Sequence, residues 1–100
     1  MSSRNTAIES ISMALNFPNV SRSFLPSRGA VQFWGHDGSL EISFFVTQDA
    51  LKRIQSDAQN DETGLLRAFD LNRATIHENA AKIYSRSRVE SSYELTAASF

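Results

Sequence analysis

The chain contains no cysteine, only two prolines and four glycines, and no long apolar run. The lack of cysteine excludes disulfides, thiolate nucleophiles and cysteine-based zinc or iron–sulfur sites, and it fits a reducing compartment. No apolar stretch approaches the roughly eighteen residues of a membrane span. The N-terminal stretch carries Glu9 and several serines where a signal peptide needs a continuous apolar segment. The expected location is therefore cytoplasmic, with no membrane partner. Neither charge sign is in excess: ten basic and eleven acidic residues leave a net charge of −1, which speaks against generic affinity for nucleic-acid backbones. With four glycines, Gly29, Gly35, Gly38 and Gly64, there is no glycine-rich phosphate loop, and no serine sits in a Gly-x-Ser-x-Gly elbow.

What is present is an ordinary globular composition, 41% hydrophobic and 21% charged over 100 residues. That length buries on the order of two thirds of the unfolded chain's surface, enough for one cooperative domain. Residues 1–12 are rich in serine and threonine, with Ile8 and Ile11 as the sizeable apolar groups, and read as a flexible extension, with Met13 as an alternative start. The expected organisation is this extension followed by a single α+β domain over residues 13–100.

The strongest local signal is Asp37-Gly38 between two alternating apolar runs, which predicts a β-hairpin with a type I′ turn. A turn centred there pairs Gly35 with Leu40, Trp34 with Glu41, Phe33 with Ile42, Gln32 with Ser43 and Val31 with Phe44. Val31, Phe33, Leu40, Ile42 and Phe44 then share a core face, while Gln32, Trp34, Glu41 and Ser43 point away from it. Phe45 is out of phase with the core set and falls on the Trp34 side. Short strands are predicted at Leu15 to Phe17 and Ser21 to Leu25, the second ended by Pro26. Tyr93 to Thr96 reads as a last strand.

Thr47 is a natural helix N-cap, with Asp49 in the first turn and Ala50, Leu51 and Ile54 facing the core. A long helix then starts near Asn60 or Asp61. At 100° per residue, Leu65, Phe69, Asn72, Ile76, Asn79, Ala80 and Ile83 share a stripe suited to lie on a sheet. The fold class is thus α+β: an antiparallel sheet of four to five short strands around the Asp-Gly hairpin, one face covered by the long helix and the short one.

The string Phe33-Trp34-Gly35-His36-Asp37-Gly38, followed by Phe44-Phe45-Val46 and Asp49-Ala50-Leu51, resembles the small bacterial proteins grouped as the domain of unknown function 1488. Phe17-Pro18-Asn19, Ser21-Arg22-Ser23-Phe24, Phe69-Asp70-Leu71-Asn72-Arg73 and Tyr93-Glu94-Leu95-Thr96 are similar to the same pattern, over Leu15 to Phe100. Phe24 stands where a tyrosine is expected. The resemblance implies a compact α+β bacterial domain and carries over neither a reaction nor a catalytic residue.

Candidate chemistry is sparse. His36 and Asp37 at the hairpin tip, with His77 and Glu78 on the helix, are the set that could suggest an acid–base pair or metal site, but the spacing has no His-x-x-x-His or carboxylate ladder. The plainer reading makes Asp37 a turn residue, His36 a solvated strand end and His77 a boundary histidine with an ordinary hydrogen bond. Asn72 and Asn79 on the apolar stripe either bond to nearby backbone or line a small pocket. No catalytic signature, metal ligand set, cofactor motif or small-molecule site emerges, so an enzyme is not expected.

Trp34 and Phe45, flanked by Gln32 and Glu41, form the candidate interaction surface, either covered within the monomer or used at an interface. The functional expectation is a protein-interaction or regulatory module, with a homodimer as one form. The alternative is an accessory nucleic-acid-binding module using Arg22, Arg28, Arg73, Arg86 and Arg88 as a basic patch, with Trp34 and Tyr93 for stacking.

Overall fold

A computed structural model of the protein describes residues 15–86, 90 and 92–100. The strands are β1 (Leu15–Asn16), β2 (Ser23–Leu25), β3 (Ala30–Asp37), β4 (Leu40–Thr47) and β5 (Ser92–Leu95). The helices are α1 (Gln48–Ile54), α2 (Glu62–Leu71) and α3 (Arg73–Arg86), and a single 3-10 turn follows at Ala97–Ser99. The extension expected over residues 1–12, and Arg88, lie outside the described residues.

β3 and β4 form the hairpin at the heart of the sheet, with β4 also pairing β5, while β1 and β2 occupy successive stretches of β3's other side. All pairings are antiparallel except β4 with β5, so the α+β sheet is mixed. The long route from Thr47 through three helices supplies the crossover that a parallel return requires.

The hairpin register differs from the expected one by two residues. Asp37 pairs with Leu40, Trp34 with Ser43 and Phe33 with Phe44, which places the turn at Gly38-Ser39. Gly38 takes φ +63°, and no non-glycine residue among those described has a positive φ, so the turn has glycine first, as in type II′ rather than I′. Because side chains alternate with a period of two, a two-residue slip leaves every residue on its predicted face. Leu40 nonetheless escapes burial: at the tip of the hairpin it is 56% exposed, beyond the cover of the helices.

Val31, Phe33, Ile42, Phe44, Val46 and Leu95 meet Leu51 of α1, Leu65 and Phe69 of α2, and Ile76, Ala80 and Tyr84 of α3 in one core. Burial of this apolar surface is what holds the layers together, at roughly 25 cal/mol per Å². Gly35 belongs to it for lack of a side chain. A Cβ there would lie 3.0 to 3.1 Å from Leu15, Phe17 and Phe44.

Thr47 caps α1 as predicted, its hydroxyl accepting from the Ala50 N–H at 3.2 Å. Asp61 caps α2 in the same way, accepting from the Gly64 N–H at 2.8 Å. The expected long helix is broken at Asn72, whose φ of −118° and ψ of 22° leave the helical range. Its side-chain amide donates to Ala68 O at 2.9 Å and to Gln55 Oε1 at 3.0 Å. An amide bonding back to its own helix competes with the regular ladder, and here it also ties α2 to the end of α1. Beyond the break the buried stripe runs Ile76, Ala80, Tyr84, with Ile83 only half-buried.

Candidate functional site

The helices pack against one face of the sheet, the side carrying Phe33 and Phe44. The opposite face is built by alternate residues of three strands: Gln32, Trp34 and His36 from β3, Glu41, Ser43 and Phe45 from β4, and Ser92 and Glu94 from β5. Trp34 sits at its middle, half-buried and opposite Ser43. Glu41 and Phe45, two residues to either side of Ser43, are its diagonal neighbours on β4.

Phe45 occupies the predicted face but not in the predicted state. It is 8% exposed, because the Arg28 guanidinium lies over its ring at 3.7 Å. The turn between β2 and β3 places Arg28 there; Gly29 at φ +59° returns the chain into β3. Arg28 also approaches Glu94 at 3.8 Å. At the other end of the face, His36 and Glu41 are directly paired across the strands, 3.8 Å apart. Each end of the face thus carries one acidic and one basic-type side chain around a central tryptophan.

The other sequence candidates do not converge. His36 lies on the outer face, whereas Asp37 is on the core side and accepts a hydrogen bond from the Tyr84 hydroxyl at 2.5 Å. Asp37 is therefore a link from hairpin to α3 rather than a turn residue. His77 stacks on Phe17, ring centroids 4.0 Å apart and planes 7° from parallel, with Phe33 nearby at 5.7 Å. Burial among these rings, assisted by the positive charge of Arg73, lowers its pKa to about 4. Its environment is thus aromatic, in place of the expected boundary hydrogen bond. Among the described residues, no three His, Cys, Asp or Glu side chains gather in a way that can hold a metal ion.

Asn72 and Asn79 take the backbone option, each donating to a carbonyl four residues earlier, Ala68 and Thr75. A cavity of about 320 Å³ does exist between α2 and the loop that precedes it, lined by Gln55, Ala58, Gln59, Thr63, Arg67 and Leu71 among others, but neither asparagine lines it. Spacing along the chain carries no sign of it, since its walls come from the loop after α1 and from α2.

The arginines are dispersed among local partners. Arg22 forms a two-point bond to Asp70 at 2.8 and 3.0 Å, and Arg73 bonds the same carboxylate at 2.8 Å. The Arg22 bond, joined by that from Arg73, holds the Asp70 carboxyl below its ordinary pKa against the opposing effect of burial. Arg28 is on the outer face and Arg86 ends α3. Among the described residues no helix is long and apolar enough to cross a membrane.

A search of curated proteins finds no match to the chain. Among solved structures, a crystal structure of a protein of unknown function from Shewanella loihica PV-4, of the DUF1488 family, is similar with a TM-score of 0.73 and 18% identity, covering 82% of this chain and 91% of that one. At that identity the likeness bears on the fold. Residues 15–96 match the family described as protein of unknown function (DUF1488), within the expected span of Leu15 to Phe100. The chain belongs to the DUF1488 family.

Proposed function

We propose that the protein is a non-enzymatic interaction module whose binding surface is the outer face of the sheet, centred on Trp34 with Gln32, Glu41 and Phe45 around it. The observation that carries the reading is the one-sided packing: the described helices cover one face of the sheet and leave a half-buried tryptophan on the other, between two charged ends. Tryptophan is the residue type most over-represented at the energetic centres of protein interfaces, where polar neighbours exclude water from it. The Arg28 guanidinium on Phe45 extends this apolar centre while keeping its rim charged.

The dispersal of the arginines favours a protein partner over nucleic acid. Arg22 and Arg73 are both committed to Asp70, and Arg28 is balanced by Glu94. A photoreactive phenylalanine analogue in place of Trp34, compared with one in place of the exposed Glu78 of α3, tests the reading in living cells. Adducts with protein are expected from position 34 and not from position 78. Adducts from position 78 alone, or from neither, overturn it.

A further inference from the structure

We infer that the partner is a second copy of this chain, packed face to face with its strands running opposite ways across a two-fold axis over Trp34 and Ser43. This rests on the reading of the outer face as a binding surface. Trp34 and Ser43 are directly opposed across β3 and β4. Around them the face is balanced in position: Gln32 and His36 lie two residues to either side on β3, and Phe45 and Glu41 two residues to either side on β4. In an isologous contact a residue at one end meets the residue at the other end of the copy. A two-fold axis perpendicular to the strands therefore carries Phe45, with the Arg28 guanidinium above it, onto Glu41 of the second copy, and Gln32 onto its His36.

The charges agree with that operation. Arg28 is the positive group over Phe45 at one end, and Glu41 is the acid at the other. The Arg28 and Glu41 side chains keep 45% and 55% of their surface exposed, and their present partners stand 3.8 Å away, so each has room for a shorter bond. A face of a single sign would repel its own copy; this one places opposite charges together twice, once on each side of the axis. At the axis, Trp34 meets Trp34, in the fully desolvated central position where an aromatic contributes most.

Two charge reversals and their mixture test the arrangement. In a homodimer of the Glu41→Arg variant the introduced guanidinium faces Arg28 twice. In a homodimer of the Arg28→Glu variant the introduced carboxylate faces Glu41 twice. In an equimolar mixture of the two variants, the mixed dimer sets two guanidinium groups on one chain against two carboxylates on the other, and both contacts are again attractive. Sedimentation velocity over a concentration series is expected to show a reversible dimer for the native chain. Each variant should have a dissociation constant raised about tenfold or more, and the mixture should return close to the native value. If Arg28→Glu does not fold, Glu41→Arg alone, at an exposed strand position, must still weaken the dimer. A native chain that stays monomeric at its highest soluble concentration overturns the second-copy inference, while adducts from position 34 with a different protein would leave the interaction module standing. A native dimer that neither reversal weakens, or that the mixture does not restore, overturns the two-fold arrangement.

Discussion

Acidification should destabilise the fold through His77. The ring lies against Phe17 at 4.0 Å, near Phe33, with the Arg73 cation as the charged neighbour, and its pKa falls from 6.5 to about 4. A histidine that resists protonation when folded binds fewer protons than the unfolded chain between those two values. Stability is therefore complete above about pH 6.5 and declines as pH falls toward 4. At about 1.4 kcal/mol for each tenfold change in proton affinity, the ceiling is about 3 kcal/mol over the whole window and about 2 kcal/mol between pH 7 and pH 5. The residue is only half-buried, so about 1 kcal/mol is the expected loss at pH 5. The assay is urea unfolding at pH 7, 6, 5 and 4, at one fixed protein concentration because any self-association would add to apparent stability. His77→Phe keeps a ring against Phe17 and removes the titration, so its stability should be flatter over this range. An equal decline in both proteins would refute the argument. Below the ordinary carboxylate range Asp70, whose pKa is lowered by Arg22, adds a further loss in the same direction.

Three further substitutions probe the fold around the face. Tyr84→Phe removes the hydroxyl that donates to Asp37 and should cost about 1–2 kcal/mol in denaturant unfolding at pH 7, with faster amide exchange at the hairpin tip. Gly35→Ala forces a methyl to within 3.0 to 3.1 Å of Leu15, Phe17 and Phe44 and should cost about 1–3 kcal/mol; trimming Leu15 to Ala in the same chain should recover part of that loss if overpacking is the cause. Thr47→Ala deletes the cap of α1 and should lower stability by about 1 kcal/mol, read as a shift of the urea midpoint at constant slope.

The features legible in the sequence are those set by neighbours along the chain. Thr47 is readable as a cap because the bond it makes reaches only three residues. The two faces of the hairpin are readable because alternation survives a slip of two. The position of the turn is not, since Asp37 is drawn into β3 where it meets the hydroxyl of Tyr84, 47 residues away. The helix break at Asn72 likewise depends on Gln55 as well as on Ala68. The direction of β5 follows from the crossover route rather than from its own residues.

The candidate surface is legible in part for the same reason. Parity places Trp34, Gln32, Glu41 and Phe45 on one side of the sheet, and the structure puts them there. Parity says nothing about what lies above a ring, so the cover that Arg28 gives Phe45, and the proximity of Glu94 to Arg28, appear only in three dimensions. The surroundings of His77 are hidden from its own helix, because the aromatic that stacks on it, Phe17, comes from the segment between β1 and β2, far from α3 in sequence.

Trp34 is the single tryptophan of the chain, so its fluorescence reports directly on the outer face. Acrylamide quenching of that emission, measured beside sedimentation mass over one concentration series, is the most direct test of that face as the binding surface. Quenching is expected to weaken as the mass rises toward the dimer. Quenching that stays unchanged while the mass doubles would place the interface elsewhere on the molecule and contradict it.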